Sequence, residues 1–279
     1  MDTLDFFNTT IGIIGCKGRM GSWFFNQFSS AGLRVIGIDK TNLTELSDFV
    51  TLCDINILAV PVPEISKITK LIGPLLKQHS LLMDIASLKE KPLRSMMDHC
   101  QCEIIGTHPM FGPSAESFKD QLCYVCEVRS DYWLPRIVNL LTQLGARIKF
   151  VTPTDHDRLM ATVQTLRHVI MTSLALTLRE TGFDLLRDST ASGSWFREMI
   201  KMMTHQFDQP SELYADLALN NPYSHQILQT FKNENNKIVQ AISRGERENI
   251  LRLMTLAQSY ASRQNNLSTV TKKTLGDVE

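Results

Sequence analysis

Seven short apolar runs that read as strands lie between residues 10 and 151. They are TIGIIG (10–15), RVIGID (34–39), INILAV (55–60), LLMDIA (81–86), EIIGTH (103–108), QLCYVCEV (121–128) and RIKFV (147–151). Gly, Asp and Pro punctuate the runs, and helical segments separate them. Continuous apolar runs of this length suit strands of a sheet covered on both faces. Their alternation with helices predicts a Rossmann-type, doubly wound α/β domain over residues 1–152. After Asp155 the strand signals stop. The segments 156–182, 194–206, 211–220, 224–244 and 245–263 carry apolar residues at helical spacing, which predicts an all-α domain over 153–263. Amphipathic helices of that length need partners, so this half is expected to dimerise. Residues 264–279 are polar and are expected to fray. A chain of 279 residues suits two domains of ordinary size.

Charge narrows the choice of partner. Lys+Arg and Asp+Glu both number 29, so no net field draws the chain to nucleic acid or to an anionic membrane, and a small molecule is the expected ligand. The N-terminus MDTLDFFN is acidic where a signal peptide would be basic. The longest apolar stretch, 169–178, is broken by Thr and Ser and falls short of the ~18 residues of a membrane span. A cytoplasmic chain is expected. Cys123 and Cys126 have a C-x-x-C spacing, but they sit in a strand-like run, where three residues apart means opposite faces. The six cysteines are therefore expected as free thiols, with no metal site.

Gly15-Cys16-Lys17-Gly18-Arg19-Met20-Gly21 follows a strand and opens a helix, the position a phosphate-binding turn requires. The spacing is G-x-x-G-x-x-G, with Cys16 next to the first glycine. Gly15 can make the turn, Gly18 can admit the pyrophosphate and Gly21 can let the helix pack on the strand. The helix N-terminus supplies free N–H groups and a positive dipole end. Asp39, 18 residues past Gly21, is placed to accept hydrogen bonds from a ribose diol, which favours NAD over NADP; Lys40 beside it would soften that preference. A tight βα turn without a ligand is the alternative. Val60 and Pro61, in VPVP after the third strand, either pass the nicotinamide-side ribose or form only a rigid strand exit.

Ligands of open α/β sheets sit beyond the carboxyl ends of the strands. Two polar clusters fall there: DIASLK (84–89), with Ser87 and Lys89, and GTHPMFGPS (106–114), with His108 between Thr107 and two prolines. A histidine takes or gives a proton near neutral pH, its ordinary pKa being ~6.5. The two prolines are expected to stiffen a loop around it.

Gly15–Gly21, DIASLK, GTHPMFGP (106–113), HDRLMATVQTLRH (156–168) and SELYAD (211–216) together resemble the prephenate dehydrogenase family. The similarity is greatest to the dehydrogenase part of the bifunctional chorismate mutase/prephenate dehydrogenases and runs from about residue 10 to about residue 260. No mutase-like segment precedes residue 10, so the resemblance is to a monofunctional enzyme. It implies NAD-dependent oxidation of prephenate to 4-hydroxyphenylpyruvate and CO2, in tyrosine biosynthesis. By the same resemblance His108 accepts the proton of the 4-hydroxyl, Ser87 orients the hydroxyl or the histidine, and Lys89 helps to hold polar ligands. His168 matches a position near substrate at the domain interface; a core histidine bonded between helices is its alternative. His156 is expected to cap its helix.

The resemblance fails at one position. Arg197, Lys201 and His205 are four residues apart and share a helical face. Either they are a solvated stripe or they hold the substrate's carboxylates. The family carries an arginine at the position of His205. Guanidinium stays charged and clasps a carboxylate through two bonds, whereas imidazole offers one donor and is largely neutral at pH 7. This departure keeps three alternatives open: arogenate as substrate, 4-amino-4-deoxyprephenate as substrate, and a nucleotide-binding regulatory protein without catalysis.

Overall fold

A computed structural model describes Phe6 and residues 8–39, 45–188 and 192–274. Lys40 and the last five residues lie outside the described residues. Seven strands form one sheet: β1 (Thr10–Ile14), β2 (Arg34–Ile38), β3 (Ile55–Leu58), β4 (Leu81–Asp84), β5 (Glu103–Pro109), β6 (Leu122–Arg129) and β7 (Arg147–Phe150), in the order β2-β1-β3-β4-β5-β6-β7. The first five are parallel, β6 runs antiparallel to β5, and β7 is parallel to β6. The helices of this part are α1 (Arg19–Ser30), α2 (Leu46–Leu52), α3 (Val62–Ile72), α4 (Glu90–His99) and α5 (Trp133–Gln143).

The continuous apolar runs are explained by two cores, one on each face of the sheet. Ile13, Ile57, Met83 and Ile105 join Trp23, Phe24 and Phe28 of α1 on one face. Their chain neighbours Ile14, Leu58, Leu82 and Ile104 join Val50, Ile65 and Met96 from α2, α3 and α4 on the other. Cys123 belongs to the first core and Cys126 to the second, as alternation along a strand requires. All six cysteines are free. Among the described residues no group of three or more His, Cys, Asp or Glu is placed to hold a metal ion, and no helix is long and apolar enough to cross a membrane.

Past β7 the chain is helical. Thr152 caps α6 (Pro153–Met160) by accepting the Asp155 N–H at 3.1 Å, and Pro153 occupies the first turn, where its missing N–H costs nothing. The helix continues through a π-helical stretch, Ala161–Leu166, into α7 (Arg167–Glu180). Then come α8 (Ser194–Gln206), α9 (Ser211–Asn220), α10 (Ser224–Ser243) and α11 (Arg247–Thr274). The compact units are residues 1–224 and 225–279. In the second unit, Gly245 at φ +66 ends α10: its N–H bonds to Ile242 O and the Glu246 N–H to Ala241 O, a Schellman stop. The helix α11 extends to Thr274, so residues 264–274 are helical rather than frayed. With neither Gly nor Pro from Arg247 to Thr274, nothing in that stretch breaks the helix.

Candidate active site

The carboxyl ends of β1, β3, β4 and β5 converge on one edge, and each delivers a predicted group. After β1, Gly15 stands at φ +92, its N–H and that of Cys16 donate to Ile38 O, and Gly18 N–H returns to Gly15 O at 3.0 Å. A Cβ on Gly15 would lie 2.4 Å from Ala59 O, and one on Gly21 would lie 2.1 Å from Gly15 O. Both positions therefore require glycine. Gly18 precedes α1, and no side chain caps the helix. The first N–H groups of α1 thus remain for a bound anion. Cys16 fits because residue 37 is glycine: a Cβ there would approach the Cys16 sulfur to 2.6 Å. Asp39 Oδ2 accepts the Lys17 N–H at 3.0 Å, tying the end of β2 to the turn. Val60 packs on Gly15, Pro61 caps α3, and Met20 rests against the aromatic core. Arg19 does not point along the turn; its guanidinium bonds Asp208 O (3.1 Å) and Gln209 Oε1 (2.8 Å), between α8 and α9.

His108 is the main departure from the predicted geometry. It lies within β5, opposite Tyr124 of β6, so ladder pairing holds it rather than a loop stiffened by prolines. The chain leaves the strand past Pro109, where Phe111 packs edge-on to Trp23 at 4.9 Å and the Trp23 indole donates to Ala115 O. His108 is 3% exposed. Its Nδ1 lies 2.8 Å from His156 Nε2, and His156 Nδ1 lies 2.8 Å from Asp157 Oδ1. On the other side, Gln164 Nε2 of the π-helical stretch lies 3.4 Å from His108 Nε2. Burial, then the neighbouring His156 and Lys89, push the His108 pKa well below its ordinary value, so the ring is neutral at pH 7.

Asp157 was not foreseen from the sequence. Its two oxygens accept the backbone N–H groups of Lys89 (2.7 Å) and Glu90 (2.9 Å), capping α4 from another helix, and its own carbonyl accepts from Asn221 at 2.7 Å. His156 therefore does not cap α6, where Thr152 does; it lies within the helix and joins His108 to that carboxylate. Ser87 is half-buried, and its hydroxyl hydrogen-bonds no described residue. Lys89 departs from the expected ligand-holding role. Its side chain is fully buried, with the ammonium bonded to Asp84 Oδ2 and, at 2.7 Å, to Thr107 O. It braces β4 against β5.

On the helical side, His168 is buried, with its ring 4.3 Å from that of Tyr214. Arg167 Nη2 lies 2.7 Å from His168 Nε2. A guanidinium only donates, so Nε2 accepts and the proton sits on Nδ1. That Nδ1 is buried without a partner, as are Gln164 Oε1 and Gln206 Oε1. Buried polar atoms are nearly always satisfied, so these three are open to a polar partner. Burial first, and the Arg167 charge second, lower the His168 pKa to about 4. Arg197, Lys201 and His205 are exposed, and each has a local partner: Ser192 O, Glu198 and Asp208 respectively. No hydrogen bond or ion pair joins any of the three to His108, His156 or His168. Arg167, adjacent to His168 in the same motif, is the guanidinium that the structure puts beside the buried rings.

Comparison with known proteins agrees with this architecture. The family model for the prephenate dehydrogenase nucleotide-binding domain matches residues 26–150, and that for the prephenate dehydrogenase dimerization domain matches residues 152–256. A probable arogenate/prephenate dehydrogenase of Methanocaldococcus jannaschii is 30% identical over 274 residues, covering 91% of this chain and 61% of its own. The T-protein of Enterobacter agglomerans is 25% identical, covering 85% of this chain and 63% of its own. The chain thus spans about three fifths of the length of these curated relatives. Among solved structures, prephenate dehydrogenase from A. aeolicus, in complex with hydroxyphenyl propionate and NAD+, superposes with a TM-score of 0.71 at 18% identity, covering 91% of this chain and 98% of its own. Arogenate dehydrogenase from Synechocystis gives 0.68 at 20%, covering 92% and 99%. With a Rossmann-type sheet and a helical second part that both match one family along most of its length, the chain belongs to the prephenate dehydrogenase family.

Proposed function

We propose that this protein is an NAD-dependent dehydrogenase that oxidises and decarboxylates prephenate, giving 4-hydroxyphenylpyruvate and CO2. The observation that carries the reading is a neutral, buried His108 at the carboxyl edge of the sheet, on the same edge as the glycine cradle. Gly15 and Gly21 let the turn close on Ala59 and on itself, Gly18 leaves room for a pyrophosphate, the N-terminus of α1 offers it N–H groups, and Asp39 stands at the end of β2 for a ribose. NAD, when bound there, supplies the acceptor for the hydride leaving ring carbon 4. His108 Nε2 takes the proton of the 4-hydroxyl as that carbon becomes a carbonyl. The bond from ring carbon 1 to its carboxylate then breaks, and its electron pair passes through the dienone to the oxygen. The resulting phenolate recovers the proton from His108. We assign Ser87, whose hydroxyl is unengaged, to the substrate hydroxyl, and Arg167 with the His168 Nδ1–H to the side-chain carboxylate.

A second reading replaces the substrate by arogenate or 4-amino-4-deoxyprephenate. For the 4-amino compound it is supported by Gln164 Oε1, a buried acceptor without a partner beside His108; arogenate keeps the 4-hydroxyl and carries its amine on the side chain, and its support is the probable arogenate/prephenate dehydrogenase at 30% identity. A hydroxyl spends its single proton on His108, whereas an amine retains one for Gln164. The 4-amino-4-deoxyprephenate dehydrogenase of Streptomyces pristinaespiralis is 24% identical to this chain. Absorbance of NADH, followed side by side with the three substrates, separates these readings, and turnover of none would reject both. In His108→Asn, kcat falls about 10²–10⁴-fold while NAD still binds; retained turnover would remove the proton-transfer role. The helical part is assigned to a homodimer, which sedimentation at micromolar concentration tests.

A further inference from the structure

The proton-accepting histidine does not stand alone, and the order of donors and acceptors behind it is fixed by chemistry. An ionised carboxylate only accepts hydrogen bonds, so at 2.8 Å from Asp157 Oδ1 the His156 Nδ1 carries a proton. Neutral His156 is then bare at Nε2 and accepts. His108 Nδ1, 2.8 Å from it, must be the donor. His108 is thereby left with its lone pair on Nε2, the nitrogen that meets the Gln164 amide donor and that a substrate hydroxyl needs as its base. The chain of bonds is held at its far end, because Asp157 also accepts the Lys89 and Glu90 N–H groups at the positive end of α4.

We propose that His156 and Asp157 are positioning residues of a His108–His156–Asp157 relay, which sets the His108 tautomer with Nε2 bare and stabilises the imidazolium formed when that nitrogen takes a proton. The proposal rests on the reading of His108 as the base. It answers a physical difficulty in that reading: a histidine 3% exposed is a weak base unless a negative charge offsets the lost solvent. Asp157 supplies that charge through His156 without itself becoming protonated, the role a buried aspartate plays behind the histidine of a serine-protease triad. Among the other groups around the relay, Asp84 is the one further carboxylate that acts on His156, and its charge is offset by the Lys89 ammonium bonded to it. Lys89 is a cation already paired to Asp84, Tyr124 faces the His156 ring from β6, Cys123 is a buried thiol whose pKa burial pushes up to about 12, and Gln164 is neutral.

The first test needs no substrate. ¹⁵N shifts of the imidazole nitrogens in histidine-labelled protein, with the His108 signals assigned by loss in His108→Asn, are expected to show Nδ1 protonated and Nε2 bare at pH 7. The reverse tautomer would overturn the proposal whatever the enzyme turns over. The second test is kinetic. Asp157→Asn and His156→Gln are each expected to lower plateau kcat by at least about a hundredfold and to move the acid limb of the kcat–pH profile to lower pH, with NAD affinity unchanged. Asp157 also caps α4, so the variants are compared at temperatures where circular dichroism shows them folded. A folded variant whose profile superimposes on that of the parent, or loses height without moving its limb, refutes the relay. If His108→Asn itself retains turnover, the base assignment has failed instead, and the tautomer measurement still stands.

Discussion

Lys89→Met separates two roles for a lysine that the family resemblance put beside the ligand. The Lys89 and Asp84 side chains are both fully buried and joined by an ion pair, and the lysine stem packs so closely that a Cβ on Gly106 would lie 3.1 Å from its Cδ. Methionine keeps most of that stem and removes only the charge. Asp84 is then a buried carboxylate whose Oδ2 has lost its cation and whose Oδ1 has no partner to begin with. Breaking a buried pair from one side costs about 3–5 kcal/mol. At roughly 2–4 °C per kcal/mol for a domain of this size, Tm should fall by about 6–20 °C, read by circular dichroism. Burial already raises the Asp84 pKa, and loss of Lys89 raises it further. A carboxyl group whose folded pKa exceeds its unfolded one binds more protons in the native state, so the variant should lose stability as pH rises above the ordinary carboxylate range. Adding Asp84→Leu should restore most of the loss, since an apolar replacement of both partners is often neutral. In the protein that remains folded, KM should be unchanged. A Tm within about 2 °C of the parent, together with a tenfold higher KM, would show that Lys89 faces the ligand after all.

The cradle, the helical site and the titration of His168 give three further expectations. Gly21→Ala places a Cβ 2.1 Å from Gly15 O, backbone that cannot swing aside; NAD affinity by fluorescence titration should fall about 5- to 150-fold, the cost of a shifted turn being on the order of 1–3 kcal/mol. Arg167→Ala should raise KM for prephenate by a factor corresponding to ~1–3 kcal/mol, the range of a charge-assisted contact, whereas His205→Arg should lower it only at the bottom of that range, because Asp208 already sits 3.0 Å from residue 205. A larger effect at 205 than at 167 would reverse the carboxylate assignment. His168, with an ordinary pKa of 6.5 and a folded value of about 4, contributes stability that is fully present above 6.5 and lost as pH falls through about 4. His168→Asn should therefore reduce the fall in Tm between pH 7 and pH 4.5, and an identical fall in both proteins would contradict the burial of a neutral ring.

What could be read from the sequence alone followed from local periodicity and from chemistry that only one residue type can satisfy. Alternating strand and helix signals determined the Rossmann sheet, because a strand buried on both faces must be apolar throughout and a helix must show its period of 3.6. The glycines of the nucleotide turn were equally legible: Gly15 at φ +92 and Gly21 against the Gly15 carbonyl admit no Cβ. Spacing could not say where a side chain ends once the chain has folded. Lys89 lies among ligand-edge residues in the sequence, yet the sheet closes over it, because β4 and β5 come together only in the tertiary structure. Asp157 adjoins a histidine, but its partners Lys89 and Glu90 are 68 and 67 residues away. Arg197, Lys201 and His205 do share a helical face, as their period requires, but that face meets solvent and local partners, a carbonyl for the first and carboxylates for the other two. Periodicity assigns a residue to a face; only the packing of distant segments decides what that face meets, and in this protein it decides which imidazole nitrogen is left bare.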